Sequence, residues 1–137
     1  MDREKIIKIL SDIDKYLKDL EGRKIVSLGD LRNLEKYYAC SMILFSLLNR
    51  VIDLGQEIVI SKKFGMPSSY KDIFRLLYER RIVNKKNFEG LKKFVDLRNA
   101  LSHEYYRADE KKIFDALQEI EQVEKFVSEA KNFLKKN

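Results

Sequence analysis

The chain has 137 residues, of which 45% are hydrophobic and 36% are charged, and its formal net charge is +6. This length fits a single domain, which we take to span residues 1–137, and the hydrophobic fraction excludes an intrinsically disordered chain. The basic surplus favours a polyanionic partner such as nucleic acid, because Lys and Arg displace condensed counterions from phosphate. The basic doublets are spread along the chain, however, which is equally typical of solvated helix surfaces, so charge alone does not decide.

The first half of the chain has the apolar spacing of helices. One Pro and five Gly in the whole sequence favour long helices over a turn-rich β fold. Apolar residues at threes and fours predict a first helix that Gly22 ends: Ile6, Leu10, Ile13, Leu17 and Leu20. Ser27 and Asp30 resemble a capping box for a second helix that runs to about residue 60. Its predicted buried face is Leu31, Leu34, Tyr38, Met42, Phe45, Leu48 and Ile52.

The second half repeats this pattern after a loop at residues 61–69. Ser69 and Asp72 are predicted to cap a short third helix, and a fourth helix begins between Asn84 and Asn87 and continues through Leu101. Asp109 is predicted to cap a last helix that reaches Leu134. We therefore predict an all-α, up-and-down bundle of four main helices plus a short one, without a sheet.

The cysteine count and the length of the apolar segments indicate the cellular compartment in which the protein is expected to reside. The single cysteine, Cys40, excludes an internal disulfide and is predicted to be a buried structural thiol. The N-terminus lacks the apolar region of a signal peptide, and the longest mostly apolar stretch, residues 37–48, is shorter than the roughly 18 residues of a membrane span. We expect a soluble, cytoplasmic protein that does not enter a membrane.

The residues best suited to chemistry lie at the end of the fourth predicted helix. His103 is the single histidine of the chain, and Asn99 shares its helix face, whereas Arg98 lies roughly 140° away around the axis. A permanently charged guanidinium holds a phosphate, and an imidazole moves a proton near neutral pH. The alternative is that His103 only complements the helix dipole or packs against a neighbour.

The spacing of these residues resembles a known motif. Arg98, Asn99, His103 and Tyr105 stand as Arg-Asn-x-x-x-His-x-Tyr, which is the motif of the HEPN superfamily in its HepT-like branch. Residues 49–55 are similar to the Ile-Asp-x-Gly segment of that family's second helix, and residues 66–72 to its Pro-x-Ser-Tyr loop. The resemblance covers about residues 30–117 in unbroken order.

The resemblance implies a specific activity and specific partners. HepT-like proteins are helical homodimers that cut RNA without metal, with the Arg and His of both protomers facing a shared cleft. Each is the toxin of a pair whose antitoxin, a minimal nucleotidyltransferase encoded by the neighbouring gene, can adenylylate the motif tyrosine. The resemblance thus makes Arg98 and His103 catalytic, Asn99 supporting and Tyr105 the modification site.

Other features of the sequence agree with a dimer that needs no cofactor. Attack by a 2′-OH group requires one group that takes a proton and another that gives one, and a two-fold dimer places two copies of His103 in one cleft. No Cys/His cluster or glycine-rich phosphate loop is present, so we expect neither a metal nor another cofactor. Asp53 is a candidate to orient Arg98 through a charge-assisted hydrogen bond, although an ordinary surface carboxylate is an equal alternative.

Three functions remain open on this evidence. The first is a metal-independent endoribonuclease toxin that cleaves RNA with Arg98 and His103. The second is a non-catalytic, substrate-binding helical subunit that presents a small molecule to a separate nucleotidyltransferase, and the third is a plain dimerisation module. The pair of Arg98 and His103 favours the first, because a scaffold has no need of both. Tyr105 has an alternative role as well, stacking on an RNA base or packing against the last helix.

Overall fold

The structure, a computed structural model, describes residues 2–104 and 109–136. All regular structure within these residues is helical, which confirms the all-α prediction. The elements in chain order are α1 (Arg3–Gly22), a 3₁₀ helix (Leu28–Arg32), α2 (Leu34–Ser61), α3 (Tyr70–Glu79), α4 (Lys85–Glu104), α5 (Glu110–Gln118) and α6 (Glu121–Lys136). No helix among the described residues is long and apolar enough to cross a membrane.

Polar side chains begin several of these helices. The Ser69 hydroxyl accepts a hydrogen bond from the backbone N–H of Asp72 at 3.1 Å, and Asp109 accepts one from Lys112 at 2.8 Å. Each bond satisfies a backbone donor that the first helical turn leaves unpaired. Both residues were predicted as caps from the sequence, and both predictions are confirmed.

Two helix boundaries differ from the prediction. The Ser27 and Asp30 capping box is present, but it opens the 3₁₀ helix, because Asn33 adopts an extended conformation and itself caps α2. The predicted last helix is divided into α5 and α6 by a tight turn, in which the N–H of Ile120 bonds to the carbonyl of Leu117. This turn lets α5 pack against the 3₁₀ helix and α2 while α6 packs against α4.

The core is built around α2, which contacts α1, α3, α4 and α5. Its buried side chains include Tyr37, Cys40, Leu44, Leu47 and Leu54. Burial also raises the pKa of the Cys40 thiol, as suits the structural role predicted for it. The face predicted for the first half of α2 is wrong: Leu34, Tyr38 and Met42 are 66%, 43% and 67% exposed, because the packing partners of α2 cover the neighbouring row instead.

Helix α3 packs tightly on α2 at Gly55. A β-carbon at Gly55 would lie 2.9 Å from Cγ2 of Ile73 and 3.3 Å from Cε1 of Phe74, so the two helices approach at a distance that only glycine permits without rearrangement. The Phe74 ring also packs edge-on against Phe126 of α6, with 5.5 Å between centroids. These contacts fix the position of α3 and therefore of Tyr70, its first residue.

Candidate active site

Arg98 lies where three helices meet. It is a half-buried residue of α4, flanked by the buried side chains of Leu97 and Leu101. Its Cζ atom is 5.3 Å from the centre of the Phe45 ring on α2 and 4.9 Å from the centre of the Tyr70 ring on α3. Contacts of this length are cation–π interactions, and together they hold the guanidinium between two aromatic rings.

Two amide side chains complete the surroundings of Arg98. Its Nε donates to Oδ1 of Asn49 on α2 at 2.7 Å, and its Nη1 donates to Oδ1 of Asn99 at 3.2 Å. The structure thus brings Asn99, the residue expected to support the site, into contact with Arg98. Asn49 was not singled out from the sequence, although it belongs to the segment that resembles the second helix of the family.

The charge of Arg98 is not paired with a carboxylate of any side chain that the structure describes. Other arginines differ in this respect. Arg50 contacts Asp12 at 2.7 Å and Asp53 at 3.1 Å, and Arg75 contacts both Asp72 and Glu79. Hydrogen bonds from Lys8 and Arg50 lower the pKa of the Asp12 carboxyl. Arg98, in contrast, is held by neutral groups.

The contacts of Asp53 differ from those expected of a residue that orients Arg98. Its carboxylate accepts a hydrogen bond from Arg50, which also binds Asp12 of α1, so Asp53 belongs to a charged network between α1 and α2. The side chain of α2 that contacts Arg98 is Asn49, one helical turn before Asp53. The suggestion that Asp53 orients Arg98 is therefore corrected to Asn49.

His103 is exposed in the last turn of α4. Within the part of the chain that the structure describes, no hydrogen bond joins it to Arg98. The neighbouring Ser102 hydroxyl donates to the carbonyl oxygen of Asn99 at 2.9 Å. Tyr105, the predicted modification site, lies outside the described residues.

An exposed apolar row leads along α2 to Arg98. Leu34, Tyr38 and Met42 follow at intervals of four residues and are among the exposed large hydrophobic side chains. At helical spacing the same row continues through half-buried Phe45 to Asn49, the two α2 residues that contact Arg98. Aligned apolar residues on an open helix surface are typical of an interaction site.

Described side chains offer no group of three His, Cys, Asp or Glu placed as a metal site would need them. The arrangement instead offers a fixed, unpaired cation and an exposed imidazole at one end of α4. Such a pair can bind a phosphate group and transfer a proton beside it.

Comparison with known structures identifies the fold. The fold is shared with the tri-AMPylated HEPN toxin of Shewanella oneidensis, solved in complex with its MNT antitoxin: the two chains superpose with a TM-score of 0.83 and 23% identity over 96% of this chain and 99% of that one. YutE of Bacillus subtilis, solved as a cytosolic protein of unknown function, gives a TM-score of 0.84 at 23% identity, over 98% and 92% of the two chains.

The sequence defines the family more narrowly. The profile described as "Ribonuclease HepT-like" matches residues 6–130, and the chain therefore belongs to the HepT-like ribonuclease family. The mRNA nuclease HepT of Shewanella oneidensis is 35% identical over 54 residues, which are 39% of this chain and 41% of that protein. The match thus spans less than half of that relative's length.

Proposed function

We propose that this chain is a metal-independent endoribonuclease and the toxin of a toxin–antitoxin pair in the cytoplasm. The observation that carries the proposal is Arg98: its guanidinium is held by neutral amides and aromatic rings, with no described carboxylate to neutralise it. A fixed cation of this kind stabilises the charge that develops on a phosphate during attack by the neighbouring 2′-OH group. His103 at the end of the same helix supplies proton transfer.

The proposed enzyme is a homodimer. Cleavage needs one group that takes a proton and one that gives a proton, and each chain has a single histidine. A second copy that covers Leu34, Tyr38 and Met42 would bury exposed apolar surface and bring two copies of the Arg98 site close together. The dimer predicted from the sequence places both copies of His103, at the end of the fourth helix, in one cleft. We propose that the α2 row forms the interface, with the end of α4 at its margin, because Leu34, Tyr38 and Met42 form an exposed, aligned apolar row on α2.

The proposed antitoxin is a minimal nucleotidyltransferase. The related Shewanella toxin was solved tri-AMPylated and bound to its MNT antitoxin. For this chain we propose that the cognate enzyme adenylylates Tyr105, two residues past His103. Each added phosphate brings negative charge towards Arg98, so the modification would inhibit by competing with RNA for the cation.

The test is cleavage of an end-labelled single-stranded RNA in the presence of excess chelator. The wild-type protein is expected to cut, and Arg98→Ala and His103→Ala are each expected to lower the rate by about 100-fold or more, as is usual on removal of a charge-stabilising donor or a general acid–base group. Arg3→Ala, an exposed change on α1, serves as the matched control. Unchanged cleavage by both site variants would refute the assignment, and loss of wild-type cleavage with chelator alone would refute metal independence.

A growth assay separates this proposal from a non-catalytic substrate-binding subunit. Induction of the toxin gene is expected to arrest growth, and coexpression of the adjacent gene is expected to relieve the arrest. A subunit that only presents a small molecule to a transferase would leave growth unaffected.

A further inference from the structure

We propose that Asn49 is a positioning residue that fixes the guanidinium of Arg98 without neutralising it, so that Arg98 binds a backbone phosphate of single-stranded RNA. The inference rests on the proposed ribonuclease function, and it concerns the residue that orients the phosphate-binding guanidinium of Arg98. Asn49 stands on α2, a helix that carries neither Arg98 nor His103.

The geometry leaves much of the guanidinium available to a ligand. Asn49 accepts from Nε at 2.7 Å and Asn99 accepts from Nη1 at 3.2 Å. A guanidinium has five N–H donors, so these two bonds leave three for an anion. With Nε held and the rings of Phe45 and Tyr70 near Cζ, the guanidinium has little freedom to turn. An orientation fixed in advance lowers the entropic cost of binding a phosphate.

The acceptor at position 49 has the size of a carboxylate but not its charge. Asp has nearly the same shape as Asn, and an Asp at this position would reach Nε equally well. It would, however, form an ion pair like those of Arg50, which is occupied by Asp12 and Asp53. A paired arginine offers an incoming phosphate much weaker electrostatic attraction. An amide therefore performs both tasks, orientation and preservation of charge, where an acid performs only the first.

The test separates these two tasks with two substitutions of similar size. Asn49→Asp keeps the acceptor and adds a negative charge, whereas Asn49→Leu removes the acceptor and adds no charge. Asn84→Asp is the matched control, because Asn84 is exposed, caps α4 through the N–H of Asn87, and Asp caps a helix as well as Asn does. Binding of a fluorescent single-stranded RNA is measured by anisotropy over a series of salt concentrations, with every variant in the His103→Ala background. Cleavage is measured with His103 intact.

Asn49→Asp is expected to weaken RNA binding about tenfold or more at low salt. The slope of log K against log salt should fall by about 0.7 for each Arg98 that loses its phosphate contact. Asn49→Leu is expected to keep the wild-type slope but to lower the cleavage rate at saturating RNA by about tenfold, since an unoriented guanidinium still attracts phosphate but stabilises the transition state less well. Asn84→Asp should match the wild type in both measurements.

The inference is overturned if Asn49→Asp binds and cleaves RNA like the wild type. It is also overturned if Asn49→Asp and Asn49→Leu lose the same activity together with thermal stability, because Asn49 would then be needed only for packing. A wild-type slope equal to that of Arg98→Ala would overturn it as well, since Arg98 would hold no phosphate. Failure of the ribonuclease proposal would give a different result. The wild type would then not cleave RNA, while the salt dependence of RNA binding would still show whether Asn49 affects the phosphate contact of Arg98.

Discussion

Gly55 of α2 lies directly against the side chain of Ile73 of α3, close enough that a β-carbon at position 55 would come within 2.9 Å of Cγ2 of Ile73. This packing has an effect on Tyr70, which lies one helical turn before Ile73. Tyr70 is the first residue of α3, and its ring contacts Arg98. The close approach of two helices in the core therefore helps to set the position of an aromatic ring at the candidate site.

Gly55→Ala is expected to destabilise the protein by about 1–3 kcal/mol, the usual cost of overpacking a core. The cost should appear even though Ala is favoured over Gly in a helix by about 1 kcal/mol. Gly22→Ala is the control, because a β-carbon there meets no atom within 4 Å, and it should leave stability unchanged or slightly raised. Urea unfolding measures both variants. A Gly55→Ala protein as stable as the wild type would show that α3 can shift away from α2 without strain.

Met42→Glu is expected to dissociate the proposed homodimer, because it places a charge in the middle of the exposed row on α2. Ile7→Glu on α1 is a matched control, since Met42 and Ile7 are 67% and 65% exposed and the change in charge is the same. Sedimentation velocity over a range of concentrations should show a monomer for the first variant and a dimer for the second. If Met42→Glu remains dimeric and active, the interface lies on another surface.

A mixture of the Arg98→Ala and His103→Ala proteins is expected to regain part of the wild-type RNA cleavage after exchange of subunits, because one of the two copies of His103 stays missing. Each variant alone lacks one of the two groups, but a heterodimer with a shared cleft retains one intact Arg98 and one intact His103. Activity is compared before and after exchange, with each variant alone as the control. Recovery would exclude a site contained within one protomer, and its absence after confirmed exchange would count against cross-chain pairing.

Tyr105→Phe is expected to prevent modification by the cognate nucleotidyltransferase and to restore toxicity in its presence. The phenolic oxygen is the proposed nucleophile, and phenylalanine keeps the ring while removing that oxygen. Mass spectrometry of the coexpressed wild-type protein should show mass increments of whole adenylate units that are absent from the variant. A fully neutralised complex with unmodified Tyr105 would mean that the antitoxin acts by covering the site.

The sequence correctly predicted those features of the structure that depend on interactions between residues close together in the chain. Helix caps such as Ser69 and Asp109 are visible because the capping bond spans three residues. The buried row of α2 was not predictable in the same way, because a central helix is apolar around much of its circumference and its periodicity does not select one face. The turn between α5 and α6 carries no Gly or Pro to mark it.

The choice between Asp53 and Asn49 shows the same limit at the candidate site. The two residues are one turn apart on α2, so spacing alone allows either to reach α4. Asp53 is engaged by Arg50, whose other partner is Asp12 of α1, and that tertiary contact is not visible from the local sequence. The contact between Asn49 and Arg98 joins residues 49 positions apart, so it is not visible from the local sequence either.

The amide at position 49 also has a genetic consequence. A codon for asparagine becomes a codon for aspartate through a single base transition, AAU to GAU or AAC to GAC. A single point mutation therefore replaces the neutral acceptor of the Arg98 Nε–H with an acidic side chain. When cells that carry the toxin gene without its antitoxin are plated, Asn49→Asp should recur among the survivors beside nonsense and frameshift alleles. Unlike those alleles, it should leave full-length protein that is still recognised by the antitoxin.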